Sequence, residues 1–353
     1  MPQVVQFTAP RRVEVVDEPA AELRRSHVRV ATWFSGISAG TELTAYRGSN
    51  PYLTKTWDVQ RRLFVRGEPT FAYPVSGWGY QEVGTVIDVA EDVVEPRVGD
   101  VVHGIWGHRS EAVVAAGALS GHVLPESLPP VHGVFARVGA IALNAVLAAD
   151  VHLGESLIVF GQGVIGLLAT RLAVLNGGEV TAVDALPVRL ALSREFGAAT
   201  AVQPSTAEDV AATLREMTDG RGADTAIEVS GSQAALHEAI RSVCTGGRVV
   251  AVGFYQGEGA GLRLGEEFHH NRVEIVASQI GGVPRGLAGR WDHERLLQVF
   301  MVQLGAGRVD VARLVSHLVD VSDAASAYDL LDQRPAQALQ VVLRFPNAPD
   351  GPP

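Results

Sequence analysis

Apolar residues alternate with small or polar ones along much of the first part of the chain. Val28, Val30, Thr32 and Phe34 follow that rhythm, and Val83, Thr85, Val86 and Val89, then Val98, Val101 and Val102, add short β-rich runs broken by Gly and Pro. Strands this short, with such breaks, predict an antiparallel or barrel-like unit. From about Val151 the rhythm becomes strand, helix, strand, helix. Leu157–Phe160 is a continuous apolar run, Ile165, Leu168, Ala169, Leu172 and Leu175 recur at helical spacing, and Asn176-Gly177-Gly178 stops that helix. Further strands are expected at Glu179–Val183, Ala201-Val202, Thr225–Val229, Arg248–Val252 and Val273–Ala277, with helices over Pro187–Phe196, Ala207–Met217 and Ala234–Val243. Strands buried under helices on both faces are apolar throughout, as these are, so the pattern predicts an α/β doubly wound parallel sheet. Beyond Ile280-Gly281-Gly282 the regularity changes, with helices expected at Asp292–Leu304 and Ser322–Asp332 and a strand at Leu339–Leu343.

This division predicts three stretches: 1–136 as a β-rich unit, 137–280 as a dinucleotide-binding unit, and 281–353 as a segment returning to the first. A length of 353 residues suits two domains, possibly three. The balance of 29 Lys+Arg against 39 Asp+Glu gives a net charge of −10, which disfavours non-specific binding to nucleic acid or an anionic membrane. With one cysteine, Cys244, no intrachain disulfide forms and a Cys-rich zinc lobe is excluded. The start Met1-Pro2-Gln3-Val4 shows no secretory pattern, and no apolar run approaches the ~18–20 residues of a membrane helix. The expectation is a soluble cytoplasmic protein. The Pro-rich tail Phe345–Pro353 is expected to fray.

The strongest local signal is Gly161-Gln162-Gly163-Val164-Ile165-Gly166, after a strand and opening a helix. Gly161 permits the tight turn, Gly163 lets the backbone approach a pyrophosphate, and Gly166 lets helix and strand pack closely. The amides of a helix N-terminus suit phosphate oxygens. Asp184 ends the next strand, where a carboxylate takes both hydroxyls of an adenine ribose and repels a 2′-phosphate. NAD(H) is therefore favoured over NADP(H), although Arg189 nearby could accommodate that phosphate. Ser230-Gly231, Gly253-Phe254-Tyr255 and Ser278-Gln279-Ile280 fall at the carboxyl ends of later strands, where ligands of such sheets bind.

Several stretches together resemble the medium-chain dehydrogenase/reductase superfamily: Gly36–Glu42, Gly79–Gly84, Val98–Val102, Gly161–Gly166 and Gly246–Val250. The branch containing bacteriochlorophyllide dehydrogenase is the most similar. The resemblance implies a GroES-like catalytic domain with a nested Rossmann domain. It also implies hydride transfer to or from a nicotinamide, and a homodimer or homotetramer acting on a small-molecule substrate. Zinc-dependent members carry Gly-Ile-Cys-Gly-Thr-Asp and Gly-His-Glu. Here the Cys position falls on Ser38 or Ala39, the His on Tyr80 and its Glu neighbour on Gln81, while a downstream ligand aligns loosely with Ala136-Arg137. Zinc needs N, S or carboxylate donors around an open position, so a zinc-free enzyme is expected. An unconventional site using Glu42, His103 or His108 is the alternative.

Without zinc, hydrogen-bond donors or a general acid/base must act on the carbonyl. Thr41 matches the proton-relaying hydroxyl of zinc-dependent relatives. Tyr80 is expected to point into the former metal cavity or simply to fill it. Gln81 could donate through its amide, Glu42 could serve as base or pair with an arginine, and His108 sits on a loop with a suitable pKa. The His269-His270 pair lies at the amino end of a strand, away from the cofactor end, so a structural or interface role is expected. The long segment between Glu42 and Gly79 carries Trp57 and Trp78 among seven aromatics, with Lys55, Arg61, Arg62 and Arg66. It is either a wall over a sizeable substrate, which Trp291 could join, or an insertion with its own small core. The leading reading is an NAD(H)-dependent dehydrogenase or ketoreductase of secondary alcohols, sugar-like, cyclitol or bulky. The alternatives are an enone or quinone reductase and a non-catalytic dinucleotide-binding protein.

Overall fold

The computed structural model describes residues 1–204 and 209–349. The expected start of a helix at Ala207 and the last residues of the tail, Asp350–Pro353, lie outside the described residues. The chain divides into two compact units, Met1–Arg137 with Asp310–Pro353, and Val138–Val309. The segment beyond residue 280 is thereby split. Residues up to Val309, including the helix His293–Gly305, group with the α/β unit, and the strands Val315–Asp320 and Gln340–Arg344 return to the β-rich one. Phe300 explains the grouping: it is fully buried and so close to Gly139 that a Cβ there would lie 2.2 Å from its ring.

The β-rich unit is built around the long strand His27–Gly36. It pairs antiparallel with Glu82–Val89, Glu111–Ala115 and Gln340–Arg344, and the sheet continues through Val101–Gly104 at one side and Val315–Asp320 at the other. Val28 and Val30 face inward with Val86 and Val102, which fixes the register, since a one-residue slip would turn these valines to solvent. Val98 is not part of a strand; it is exposed in the turn before Val101. The alternation missed a small sheet made by Arg12–Asp17, Gln3–Ala9 and Val75–Ser76. It also missed the helix Ala39–Arg47, whose Tyr46 stacks on Tyr328.

The α/β unit holds a six-stranded parallel sheet in the order Thr200–Val202, Glu179–Val183, Ser156–Phe160, Ala223–Glu228, Val243–Ala251, Glu274–Ala277. That is the doubly wound order, in which the strand direction of progress reverses at Ser156–Phe160. Leu157, Ile158, Val159 and Phe160 are all buried, as continuous apolar strands require. The helix Val164–Leu175 follows, ended by Asn176 and by Gly177 at φ +93°.

The helical stretch Pro130–Ala149 corrects the expectation that nothing reaches membrane-spanning length. Its 20 residues are long and apolar enough to cross a bilayer, yet most of them are buried in the protein. His132, Arg137 and Asn144 interrupt the apolar run in sequence, which is why it did not stand out.

Candidate active site

The glycine cradle is set by close backbone contact. Gly161 turns at φ +91°, and a Cβ on Gly166 would sit 1.8 Å from the Gly161 carbonyl oxygen, so only glycine lets the first helical turn close on the strand end. Gly163 is different. It has ordinary negative φ and no neighbour nearer than an Arg189 guanidinium nitrogen, 4.0 Å from where a Cβ would lie. Packing does not demand glycine there, whereas an approaching ligand would. Gly163 is the N-cap residue and no side chain caps the turn, so the Val164, Ile165 and Gly166 amides open the helix without a capping side chain.

Asp184 is held ready by backbone. Its Oδ2 accepts from the Gln162 N–H at 2.6 Å and its Oδ1 from the Leu186 N–H at 2.8 Å. Each oxygen keeps a further lone pair, the capacity needed for a diol. Ser230 is placed otherwise than as a simple pocket residue. Its amide and hydroxyl both donate to Glu228, as do the Gly231 amide and the Tyr255 phenol. Glu228 is fully buried, and burial pushes its carboxyl up against the pull of Ser230 and Tyr255. Sequence reading missed Glu228 and its partners; the signal was a carboxylate at the end of an apolar strand. Gly253 abuts Gly231, Phe254 is exposed, and the Gln279 side-chain carbonyl is taken by the Gly281 amide. Ser278 is buried beyond the last strand, and its Oγ has no hydrogen-bond partner among the described residues. An orphaned hydroxyl at the carboxyl edge of the sheet, together with the uncapped helix start, fits a bound dinucleotide.

In the β-rich unit a hydroxyl cluster forms. The Tyr80 phenol hydrogen-bonds the Ser38 hydroxyl closely and the Thr41 hydroxyl at 3.2 Å. Ser38 precedes the helix Ala39–Arg47 and Thr41 lies in its first turn, so one helix start presents both. Burial raises the Tyr80 pKa; the two hydroxyls and the Arg137 charge pull it down and the Glu42 charge pushes it up, and the net result is a phenol that keeps its proton at neutral pH.

Beneath the cluster lies a buried ionic network. Glu42 Oε1 accepts from the Ser38 N–H at 2.7 Å, while Oε2 meets His108 Nε2 at 2.7 Å and accepts from the Tyr328 phenol. His108 Nδ1 meets Ser35 Oγ, which donates to Glu82 at 3.0 Å. Burial alone would lower the His108 pKa, but the charge and hydrogen bond of Glu42, with Glu82, outweigh it and hold it above the ordinary value. Glu42 therefore pairs with a histidine, not an arginine. His108 is 1% exposed with both ring nitrogens used, which puts it behind the cluster as a support. Gln81 likewise turns inward. Its amide donates to the Gly36 carbonyl at 3.3 Å and its Oε1 has no partner among the described residues.

The aromatic segment packs partly on itself and partly on the core of the β-rich unit. Trp57 packs on Phe64, Tyr52 on Phe64 and Phe71, and Trp78 between Phe71 and Phe7. Trp291 belongs to the α/β unit, with Arg295 over its ring at 4.6 Å. His269 and His270 are exposed, edge to face, just before the strand Glu274–Ala277.

A zinc ion does not suit the residues present. Ser38 and Tyr80 are hydroxyls engaged with each other, and Arg137 is a cation. Among the described residues no group of three or more His, Cys, Asp and Glu side chains is arranged to hold a metal. His103 stacks on His122 at 4.6 Å, and burial with the His122 charge lowers its pKa to about 3.

Residues 164–292 match the family model described as zinc-binding dehydrogenase. The D-guloside 3-dehydrogenase of Escherichia coli (strain K12) is 28% identical over 349 residues, covering 96% of this chain and 98% of its own. Two solved structures share the fold. The 2R,3R-butanediol dehydrogenase of Bacillus subtilis has a TM-score of 0.79 at 22% identity, covering 98% of this chain and 99% of its own. A short chain alcohol dehydrogenase of E. coli CFT073, complexed with cofactor NADH, has a TM-score of 0.77 at 20% identity, with the same coverage of both chains.

Proposed function

This chain belongs to the medium-chain dehydrogenase/reductase superfamily, and on that premise we propose that it is an NAD(H)-dependent oxidoreductase of secondary alcohols and ketones that works without catalytic zinc. The observation that carries the reading is the Tyr80 phenol, bonded to both Ser38 and Thr41 where zinc-dependent relatives carry a ligand. When bound, the nicotinamide supplies or accepts the hydride. The amides opening the helix Val164–Leu175 hold the pyrophosphate, Asp184 takes the ribose hydroxyls, and Arg189 stands beside Gly163. Asp184 makes NAD(H) the favoured partner and NADP(H) the less favoured one.

Proton exchange falls to the hydroxyl cluster. In the reducing direction the protonated phenol gives its proton to the carbonyl oxygen, and the Ser38 and Thr41 hydroxyls lead the replacement in. In the oxidising direction the same path runs outward. Glu42 and His108 hold the Ser38 backbone so that its hydroxyl meets Tyr80. The kinship with a dehydrogenase of D-gulosides supports a ring or chain of secondary hydroxyls as the substrate, a sugar derivative, polyol or cyclitol. The reading includes a homodimer or homotetramer. The test is Tyr80→Phe assayed over sugars, glycosides and polyols with NAD⁺. Turnover is expected to fall about 100- to 1,000-fold with NADH affinity unchanged. Full turnover with tight NADH binding would remove Tyr80 from the reaction.

A further inference from the structure

We propose that Arg137 is the electrophile of this site, its guanidinium holding the negative charge on the substrate oxygen that a metal ion holds in the zinc-dependent relatives. The inference rests on the reading of the site as a carbinol–carbonyl oxidoreductase and goes beyond it by naming the group that replaces the metal. Four observations converge. The downstream metal ligand of zinc-dependent relatives aligns loosely with Ala136-Arg137. The Arg137 side chain is half-buried, and among the described residues it makes no ion pair and no hydrogen bond. Its five donors are therefore left for water or for a ligand to meet.

The backbone brings the turn before Arg137 against the strand that follows Tyr80. Gly133, one turn earlier, is pressed against Val83, with a Cβ there falling 2.8 Å from the valine side chain, and Val83 follows Tyr80 by three residues. The Arg137 charge accordingly acts on the phenol. The Glu42 carboxylate of the cluster makes no ion pair with Arg137. Both oxygens of Glu42 are committed, one to the Ser38 amide, the other to His108 and Tyr328.

The division of labour follows from the chemistry of the two groups. In the reducing direction the carbonyl carbon gains a hydride, at the expense of the reduced nicotinamide, and the C=O π bond becomes a C–O single bond. The oxygen gains the proton of Tyr80, and the phenolate is reprotonated from solvent through Ser38 or Thr41. Arg137 keeps its protons throughout. It lowers the energy of the developing oxyanion, a contribution that mutagenesis of comparable donors places at about 100- to 1,000-fold in rate.

The experiment compares Arg137→Ala, Arg137→Gln and Arg137→Lys with the unaltered protein. The expected result is a fall in kcat of about 100- to 1,000-fold for Ala and Gln, a smaller fall for Lys, little change in KM, and NADH affinity unchanged by calorimetry. Added guanidinium ion should restore part of the Arg137→Ala turnover, a response that a purely structural arginine would not give. A second readout needs no turnover. The Tyr80 phenol is titrated as the difference in ultraviolet absorbance between each protein and its Tyr80→Phe counterpart. The groups facing it are Glu42, Arg137 and the Ser38 and Thr41 hydroxyls, so loss of the arginine should move its titration to higher pH. Folded Arg137→Ala or Arg137→Gln that keeps kcat within about threefold, or an unmoved Tyr80 titration, overturns the proposal. If the unaltered protein oxidises no alcohol and reduces no ketone with either nicotinamide, the functional reading fails on its own, while the phenol titration still decides whether Arg137 bears on Tyr80.

Discussion

The glycine cradle and the hydroxyl cluster are built from different materials. The cradle of the α/β unit is made of backbone. Its parts are a glycine turn, an uncapped helix start and a carboxylate tethered by two amides, all within Gly161–Leu186. The hydroxyl cluster of the β-rich unit is made of side chains. Ser38, Thr41, Glu42, Tyr80, His108 and Tyr328 span nearly 300 positions, as the 286-residue separation of Glu42 and Tyr328 shows. A backbone site tolerates exchange of most neighbours but not of its glycines. A buried side-chain network fails when any charged member is removed, because the remaining charge loses its partner.

The largest effect should come from Glu42→Ala. It strands a protonated His108 at 1% exposure and frees the Ser38 amide, so the protein should lose about 3–5 kcal/mol, read as a lowered urea midpoint. Next comes a pair that separates packing from ligand space within the cradle. Gly166→Ala must displace the Gly161 carbonyl and should destabilise by about 1–3 kcal/mol. Gly163→Ala meets no atom closer than 4.0 Å, so its melting temperature should hold while NADH affinity drops about tenfold. If both variants lose stability and neither shifts affinity, the distinction between the two glycines collapses.

The smallest effect is in pH. His108 has a folded pKa above its unfolded value, so its contribution is fully present below about pH 6.5 and is lost as pH rises through the folded value. Glu82, with a raised folded pKa from burial, changes in the same direction. The stability gap between the protein and His108→Gln should therefore be widest on the acid side and narrow toward alkaline pH. A gap that widens with pH would mean that His108 is not held in its charged form.

Legibility tracked locality. The glycine motif, the strand before it and Asp184 lie within one short stretch, and the sequence pattern places them on the page in the order in which they work. Thr41 was visible as a match to a family motif and Tyr80 as a departure from one. Glu228 and Tyr328 were not, because an acid ending an apolar strand and a tyrosine in an amphipathic helix look like ordinary residues until their partners are known. His108 looked like a loop histidine open to substrate; only the fold shows both of its nitrogens engaged.

Alone, the residue order determined the parallel sheet and the turn that can receive a diphosphate, since these depend on neighbours along the chain. Tertiary structure decided which acid meets which base, that the aromatic insertion packs partly on itself and partly on the core of the β-rich unit, and that Arg137 makes no ion pair among the described residues. Those outcomes depend on burial and on distances between residues far apart in sequence, and no local pattern encodes them.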